Sequence, residues 1–205
     1  MLMQFDAASI IDFHDENLSR KEWLGGAGRD APQGVWQSID ANHRFNSLLW
    51  DEEDRARRLD VGPSDIAASK RLIDRHNQQR NDAVEALDEA ILAQLDGIRV
   101  AAQARLSSET AGAMIDRLSI LSLKIFHMRE QTRRVDAGAA HVDTCRAKLQ
   151  SLSTQRHDLA GCLDLLLAEA YRGQAYFKVY RQFKMYNDPS LNPYLYGMAA
   201  AGPAQ

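Results

Sequence analysis

The chain has 205 residues, 45% of them hydrophobic and 26% charged, enough to bury a substantial core in one domain. A formal net charge of -3 and an isoelectric point near 6.1 lack the basic footprint that nucleic-acid binding needs. No apolar run reaches the roughly 18 residues of a membrane span, and the N-terminus has no basic region followed by an apolar one, so no membrane association is expected.

Five prolines and 12 glycines occur, and none of the prolines falls between Ser64 and Asp188, which suits long helices. Hairpin signatures and alternating apolar runs are missing. Cys145 and Cys162 share one expected helix, about 25 Å apart at 1.5 Å per residue, so they do not pair with each other. Free thiols suggest a reducing, cytoplasmic setting.

Residues 1–34 read as an N-terminal segment. Within it Ile10, Ile11 and Phe13 space out a short amphipathic helix, and residues 25–34, GGAGRDAPQG, read as a flexible loop. A helix is expected over residues 35–59, stopped by Asp60-Val61-Gly62-Pro63. Ser64 or Asp65 then caps a long central helix through residue 95. Gly97 opens a linker to a helix that Ser108 or Thr110 caps and that runs to about residue 133. Residues 139–186 read as one further long helix, kinked near Gly161 or Gly173. A Pro- and Asn-rich turn follows, residues 35–197 make a single helical-bundle domain, and residues 198–205 are a disordered tail. The fold class is therefore all-α, an antiparallel bundle of about five long helices.

Three polar arrays lie beside apolar stripes. On the central helix Ile66, Ile73, Val84, Leu87, Ile91 and Leu95 share a face. Lys70, Asp74, Asn77, Asn81, Glu85 and Asp88 fill a sector of roughly 80° at its edge. Amides and carboxylates at the border of a buried face need partners, whether side chains, a metal or a ligand. On the preceding helix His43, Asn46, Trp50, Glu53 and Arg57 recur at spacings of 3, 4, 3 and 4, one row that offers stacking and hydrogen bonding to a ligand. The same row also reads as an interhelical network in which Glu53 pairs with Arg57 and Trp50 is core. The third array, Arg117, Lys124, His127 and Gln131, is basic. It either neutralises the acidic edge of the central helix or frames with it a pocket for phosphate or carboxylate.

Glu85-x-x-Asp88 sets two carboxylates on neighbouring turns, able to converge on one Mg²⁺ with Asn77 or Asn81. Helical nucleotide pyrophosphohydrolases use a Glu-Glu-x-x-Glu helix followed by a Glu-x-x-Asp helix. Glu52-Glu53 ahead of Glu85-x-x-Asp88 resembles that order, with Ala56 standing where the third glutamate would be. No G-x-S-x-G, P-loop, G-x-G-x-x-G or H-E-x-x-H motif occurs. Among the histidines only His43 and His127 lie on arrays with other candidate groups, so they are the candidates for proton chemistry. Near the end of the chain Tyr180, Phe183, Tyr186, Tyr194 and Tyr196 crowd beside Lys184, Asn187 and Asn192. That segment could close over a pocket, pin the chain's end or make a dimer contact.

Three blocks resemble a bacterial family known as domain of unknown function 4254. They are NSLLWDEEDRARRLDVGPSDIAASKRLIDRHNQQRNDAVEALD, SSETAGAMIDRLSILSLKIFHMREQ and YRQFKMYNDPSLNPYLY. The resemblance implies a helical cytoplasmic protein without an assigned activity, associated in some bacteria with glycan biosynthesis. The family's characteristic positions fall on Asn46, Trp50, Glu53, Arg57, Asp74, Asn77, Asn81, Glu85, Asp88, Arg117, Lys124 and His127 of these arrays and, besides them, on Asp54, Arg80, Asp116, Lys184, Tyr186, Asn187 and Asn192.

The expected function is an enzyme or binding protein for a small anionic ligand, such as a nucleotide, sugar nucleotide or sugar phosphate. His43, Glu53 and His127 are the candidate catalytic groups. Asn46, Trp50, Arg57, Asn77, Asn81, Asp116, Arg117, Lys124, Lys184 and Asn187 are the candidate ligand contacts, and Glu85 and Asp88 would hold a metal. A homodimer is expected. The competing reading is a scaffold whose polar groups are all consumed by interhelical salt bridges.

Overall fold

The Asp6 side chain accepts from the Ser9 backbone N–H at 2.8 Å while Ser9 Oγ accepts from the Asp6 N–H at 3.1 Å, a reciprocal cap that starts α1 (Ala7–Leu18). The Ala7 N–H then donates to Asp164 Oδ1 at 2.8 Å, which ties the first helix to the last. The computed structural model of the chain describes residues 5–20, 22–25, 33–181, 188 and 190–194. Most of the expected flexible loop, the aromatic turn at Lys184, Tyr186 and Asn187, and the tail lie outside the described residues.

After a short 3-10 turn at Trp23–Gly25 come α2 (Val35–Arg55) and α3 (Pro63–Gln94). The α2 helix stops four residues before its expected end, because the N–H groups of Ala56, Arg57 and Arg58 already close turns on Glu52, Asp54 and Arg55. Neither Ser64 nor Asp65 is the N-cap of α3. Pro63 occupies the first helical position, where its missing N–H costs nothing, and Asp65 reaches back to the Gly62 N–H at 3.3 Å. The Thr110 hydroxyl accepts from the Ala113 N–H at 3.1 Å and starts α4 (Ala111–Thr132), as expected.

The last helix, α5 (Ala139–Tyr171), ends well before residue 186. Gly161 lies inside it, while Gly173 at φ +69° terminates it. A Cβ at Gly173 would meet the Arg99 carbonyl oxygen at 2.2 Å, so the linker after α3 passes against that turn. This contact brings together two strands of two residues each, β1 (Arg105–Leu106) and β2 (Ala175–Tyr176), paired in parallel.

The fold is thus an all-α bundle of five helices with one minimal parallel pair among the described residues. Its core brings Ile10 of α1, Ile39 of α2, Leu87 and Ile91 of α3, Ile115, Leu118 and Ile125 of α4, and Leu163 and Leu166 of α5 out of solvent. At roughly 1.5–3 kcal/mol per buried aliphatic side chain, this shared core outweighs any surface ion pair. The α1 helix is part of that core. Among the described residues, no helix is long and apolar enough to cross a membrane.

Candidate functional site

The polar row of α2 divides at its middle. His43 and Asn46 are buried, and their polar atoms turn to α4: His43 Nδ1 lies 2.7 Å from Ser119 Oγ, and Asn46 Nδ2 donates to Asp116 Oδ1 at 2.8 Å. Asn42 Nδ2 donates to the same carboxylate oxygen at 2.8 Å. Asp116 therefore clamps two buried amides of α2 and sets the register of α2 on α4.

The His43 ring lies between His14, with centroids 4.3 Å apart and planes tilted by 30°, and Trp23, at 4.8 Å and 35°. Burial pushes the His43 pKa down to about 3, with the His14 backbone pulling the other way. Burial also holds His14 well below the ordinary histidine range, helped by His43 and Arg156. Both rings are neutral at physiological pH.

Farther along α2, Trp50, Glu53, Asp54 and Arg57 reach a cavity of about 450 Å³, where they meet Asn77 and Arg80 of α3 over a floor that includes Leu123 of α4. A second cavity of about 390 Å³ adjoins it, lined by Asn81, Glu85 and Asp88 of α3, Glu109, the α4 cap residue Thr110, and Asp116. Arg80 lines both. A third, of about 730 Å³, lies between α2, α4 and α5 and shares Trp50 and Asp54 with the first. The indole of Trp50 stacks on His127 with centroids 4.5 Å apart and planes 4° apart. Burial lowers the His127 pKa against the opposing pull of Asp54, Asp51 and Glu130.

Five of the six carboxylates around the first two cavities are already engaged. Glu53 pairs with Arg57 at 3.0 Å, Glu109 with Arg117 at 2.6 Å, and Glu85 with Arg181 at 3.8 Å. Asp88 Oδ1 accepts from the Gly112 N–H at 2.6 Å, and Asp116 holds Asn42 and Asn46. The sixth, Asp54, acts on His127. Arg80 is half-buried, donates from Nη2 to Asn81 Oδ1 at 3.0 Å, and its buried Nε has no hydrogen-bond partner. No carboxylate pairs with it among the described residues. A cation so placed carries a desolvation cost that a carboxylate or phosphate reaching its guanidinium would offset.

The family model described as "Protein of unknown function (DUF4254)" matches residues 36–179, more than half of the chain. The chain belongs to the DUF4254 family. No curated protein and no solved structure shows significant similarity to it. The DUF4254 match takes in α2 to α5 and every residue lining the three cavities except Tyr180, while α1 lies outside it.

Within the DUF4254 region the candidate residues named from sequence fall into three groups. Asn46, Trp50, Glu53, Arg57 and Asn77 line the 450 Å³ cavity; Asn81, Glu85, Asp88 and Asp116 line the 390 Å³ one; Lys124 and His127 join Trp50 in the largest. His43 stands apart in the core, and Arg117 lines none of the three. Lys184 and Asn187 lie outside the described residues. The basic edge of α4 does not pair directly with the acidic edge of α3: among the described residues Arg117 turns to Glu109 instead. Glu52 and Glu53 also diverge, toward Arg55 and Arg57. Among the described residues no three His, Cys, Asp or Glu side chains cluster as a metal site, which leaves Glu85 and Asp88 as two carboxylates.

The residue that the array reading missed is Arg80. Its signal is present in sequence, since Ile66, Ile73, Arg80 and Leu87 follow one another at intervals of seven, which puts an arginine in the middle of the apolar stripe of α3.

Proposed function

We propose that this protein binds, and where it is catalytic acts on, a small anionic ligand seated in the two cavities between α2, α3 and α4. The observation that carries this reading is Arg80, a half-buried guanidinium with an unpartnered Nε, set where both cavities meet while five neighbouring carboxylates are occupied elsewhere. A bidentate anion such as a phosphate group supplies the missing counter-charge. Trp50 offers an indole to a planar part of the ligand, and Asn77 offers an amide to its hydroxyl or amide groups. These features favour a phosphorylated compound with a ring, the class that includes nucleotides and sugar nucleotides, in a cytoplasmic biosynthetic setting.

A thermal-shift screen of nucleoside phosphates, sugar phosphates and sugar nucleotides, with and without Mg²⁺, tests the reading. A stabilising hit that Arg80→Gln abolishes supports it. Stabilisation by none of these classes favours the scaffold or partner-binding homodimer.

A further inference from the structure

The 730 Å³ groove touches the proposed anion site only through Trp50 and Asp54, and its chemistry differs. Its far wall is the N-terminal half of α5. Between Cys145 and Leu159 that helix has no fully buried residue, although Leu149 and Leu152 continue the stripe from Cys145 at intervals of 4 and 7. Leu152 of α5, packed on one side against the core, and Met128 of α4 are only half-buried, and both line the open channel. The volume lies within the roughly 300–1,000 Å³ of small-molecule sites, and an apolar floor with a few polar groups is their usual composition.

Two observations narrow the occupant. Lys124 of α4 and Lys148 of α5 both line the groove, and among the described residues no carboxylate pairs with either, while Asp54 is the single acid of the lining. An anionic end group is thus favoured over a neutral one. The aromatic wall offers no slot for a ring, because Trp50 and His127 lie flat on each other. Ser151, at the rim, spends its hydroxyl on the Ala147 carbonyl at 3.2 Å. What remains is a channel with Met128, Ala147 and Leu152 in its lining and two lysines beside them.

We propose that this groove binds an aliphatic monocarboxylate of medium or long chain, its carboxylate held between Lys124 and Lys148 and its alkyl chain lying along Met128 and Leu152. The site is independent of Arg80.

Calorimetric titration with hexanoate, octanoate, decanoate and dodecanoate, each below its micelle concentration, tests this directly. Affinity is expected to rise about 3–4-fold per added methylene, the factor that burial of one CH₂ supplies. The double variant Lys124→Ala/Lys148→Ala should weaken decanoate binding at least about 5-fold, in line with loss of charge-assisted contacts. Ser151→Trp, which fills the channel from its rim, should abolish binding, and Ala147→Phe on the same wall provides a second block if the first variant folds poorly. Arg80→Gln should leave decanoate binding unchanged, so failure here and failure of the anion site are separable. The proposal is overturned by no saturable binding across the series, by decanol binding as tightly as decanoate, or by binding that survives both blocking variants. A wild-type dimer that Ser151→Trp converts to monomer would also overturn it, since the groove would then be covered by a second copy.

Discussion

The Asp88 carboxylate accepts a 2.6 Å hydrogen bond from the backbone N–H of Gly112, so an acid of α3 satisfies the first turn of α4. The approach is close enough that a Cβ at Gly112 would stand 2.7 Å from Asp88 Oδ1 and 2.8 Å from the Val84 carbonyl oxygen. Burial raises the Asp88 pKa, while Thr110 and the Gly112 N–H pull it back. This contact fixes one wall of the smaller cavity. Gly112→Ala should therefore cost about 1–3 kcal/mol through forced separation of the helices, read as a lower urea midpoint. Asp88→Ala should cost a similar amount by stranding a buried N–H, and Asp88→Asn, which keeps an acceptor, should cost less.

The Asp116 clamp leads to a larger effect. Its Oδ1 receives Asn42 and Asn46, both buried, at 2.8 Å each. Removing the acceptor strands the Asn42 amide at about 1–3 kcal/mol and leaves Asn46 only its longer donations to Ser119 Oγ at 3.1 Å and Asn42 Oδ1 at 3.4 Å. Asp116→Ala is expected to lower the melting temperature by several degrees at least, at about 2–4 °C per kcal/mol for a chain of this size. A change under one degree would show that the clamp does not set the packing of α2 on α4.

The two buried histidines predict acid sensitivity. His14 and His43 are held below their unfolded value of about 6.5, so the unfolded chain takes up protons first as pH falls. Stability from the neutral rings is complete above about pH 6.5 and is lost below it, for His43 down to about pH 3. The groups facing them are Trp23 and Phe13, Ser119 of α4 and Arg156 of α5, the last already bound to Asp15 at 2.7 Å. No carboxylate is among them to stabilise a cation. Each ring contributes at most about 1.4 kcal/mol per pH unit. His14→Phe, which removes one titrating ring, should flatten the fall in unfolding free energy between pH 6.5 and 5 by up to that amount. An unchanged slope would contradict the assignment.

The ion pairs Arg117–Glu109 and Arg57–Glu53 are largely exposed. Such pairs contribute about 0–1 kcal/mol. Arg117→Ala should leave the melting temperature within about two degrees of wild type and weaken anion binding less than Arg80→Gln does. The reverse ranking would return the anion to the basic edge of α4.

The helices were legible because their signals are local. Pro63, Thr110 and the apolar stripes act within a few residues, and α4 begins and ends within one residue of expectation. The early stop of α5 was not legible, since it depends on Gly173 meeting Arg99, a contact between residues distant in sequence. The two-residue strands follow from the same meeting and carry no pattern of their own. For the site, a helical wheel gives direction around an axis but not position along it. Asn77 and Glu85 share a sector, yet eight residues place them about 12 Å apart along α3, and they line different cavities. Lys124 and Arg117, also on one edge, part for the same reason.

The most direct test of the anion site is thermal stability against inorganic phosphate, from 0 to about 100 mM at ionic strength fixed with KCl, for wild type and Arg80→Gln. A site of millimolar affinity would contribute about 2.7 kcal/mol at 100 times its dissociation constant, or roughly 5–10 °C for this chain length. Anion binding at Arg80 predicts a rise of that order in wild type and none in Arg80→Gln. Equal rises in both proteins, or none in either, would contradict it.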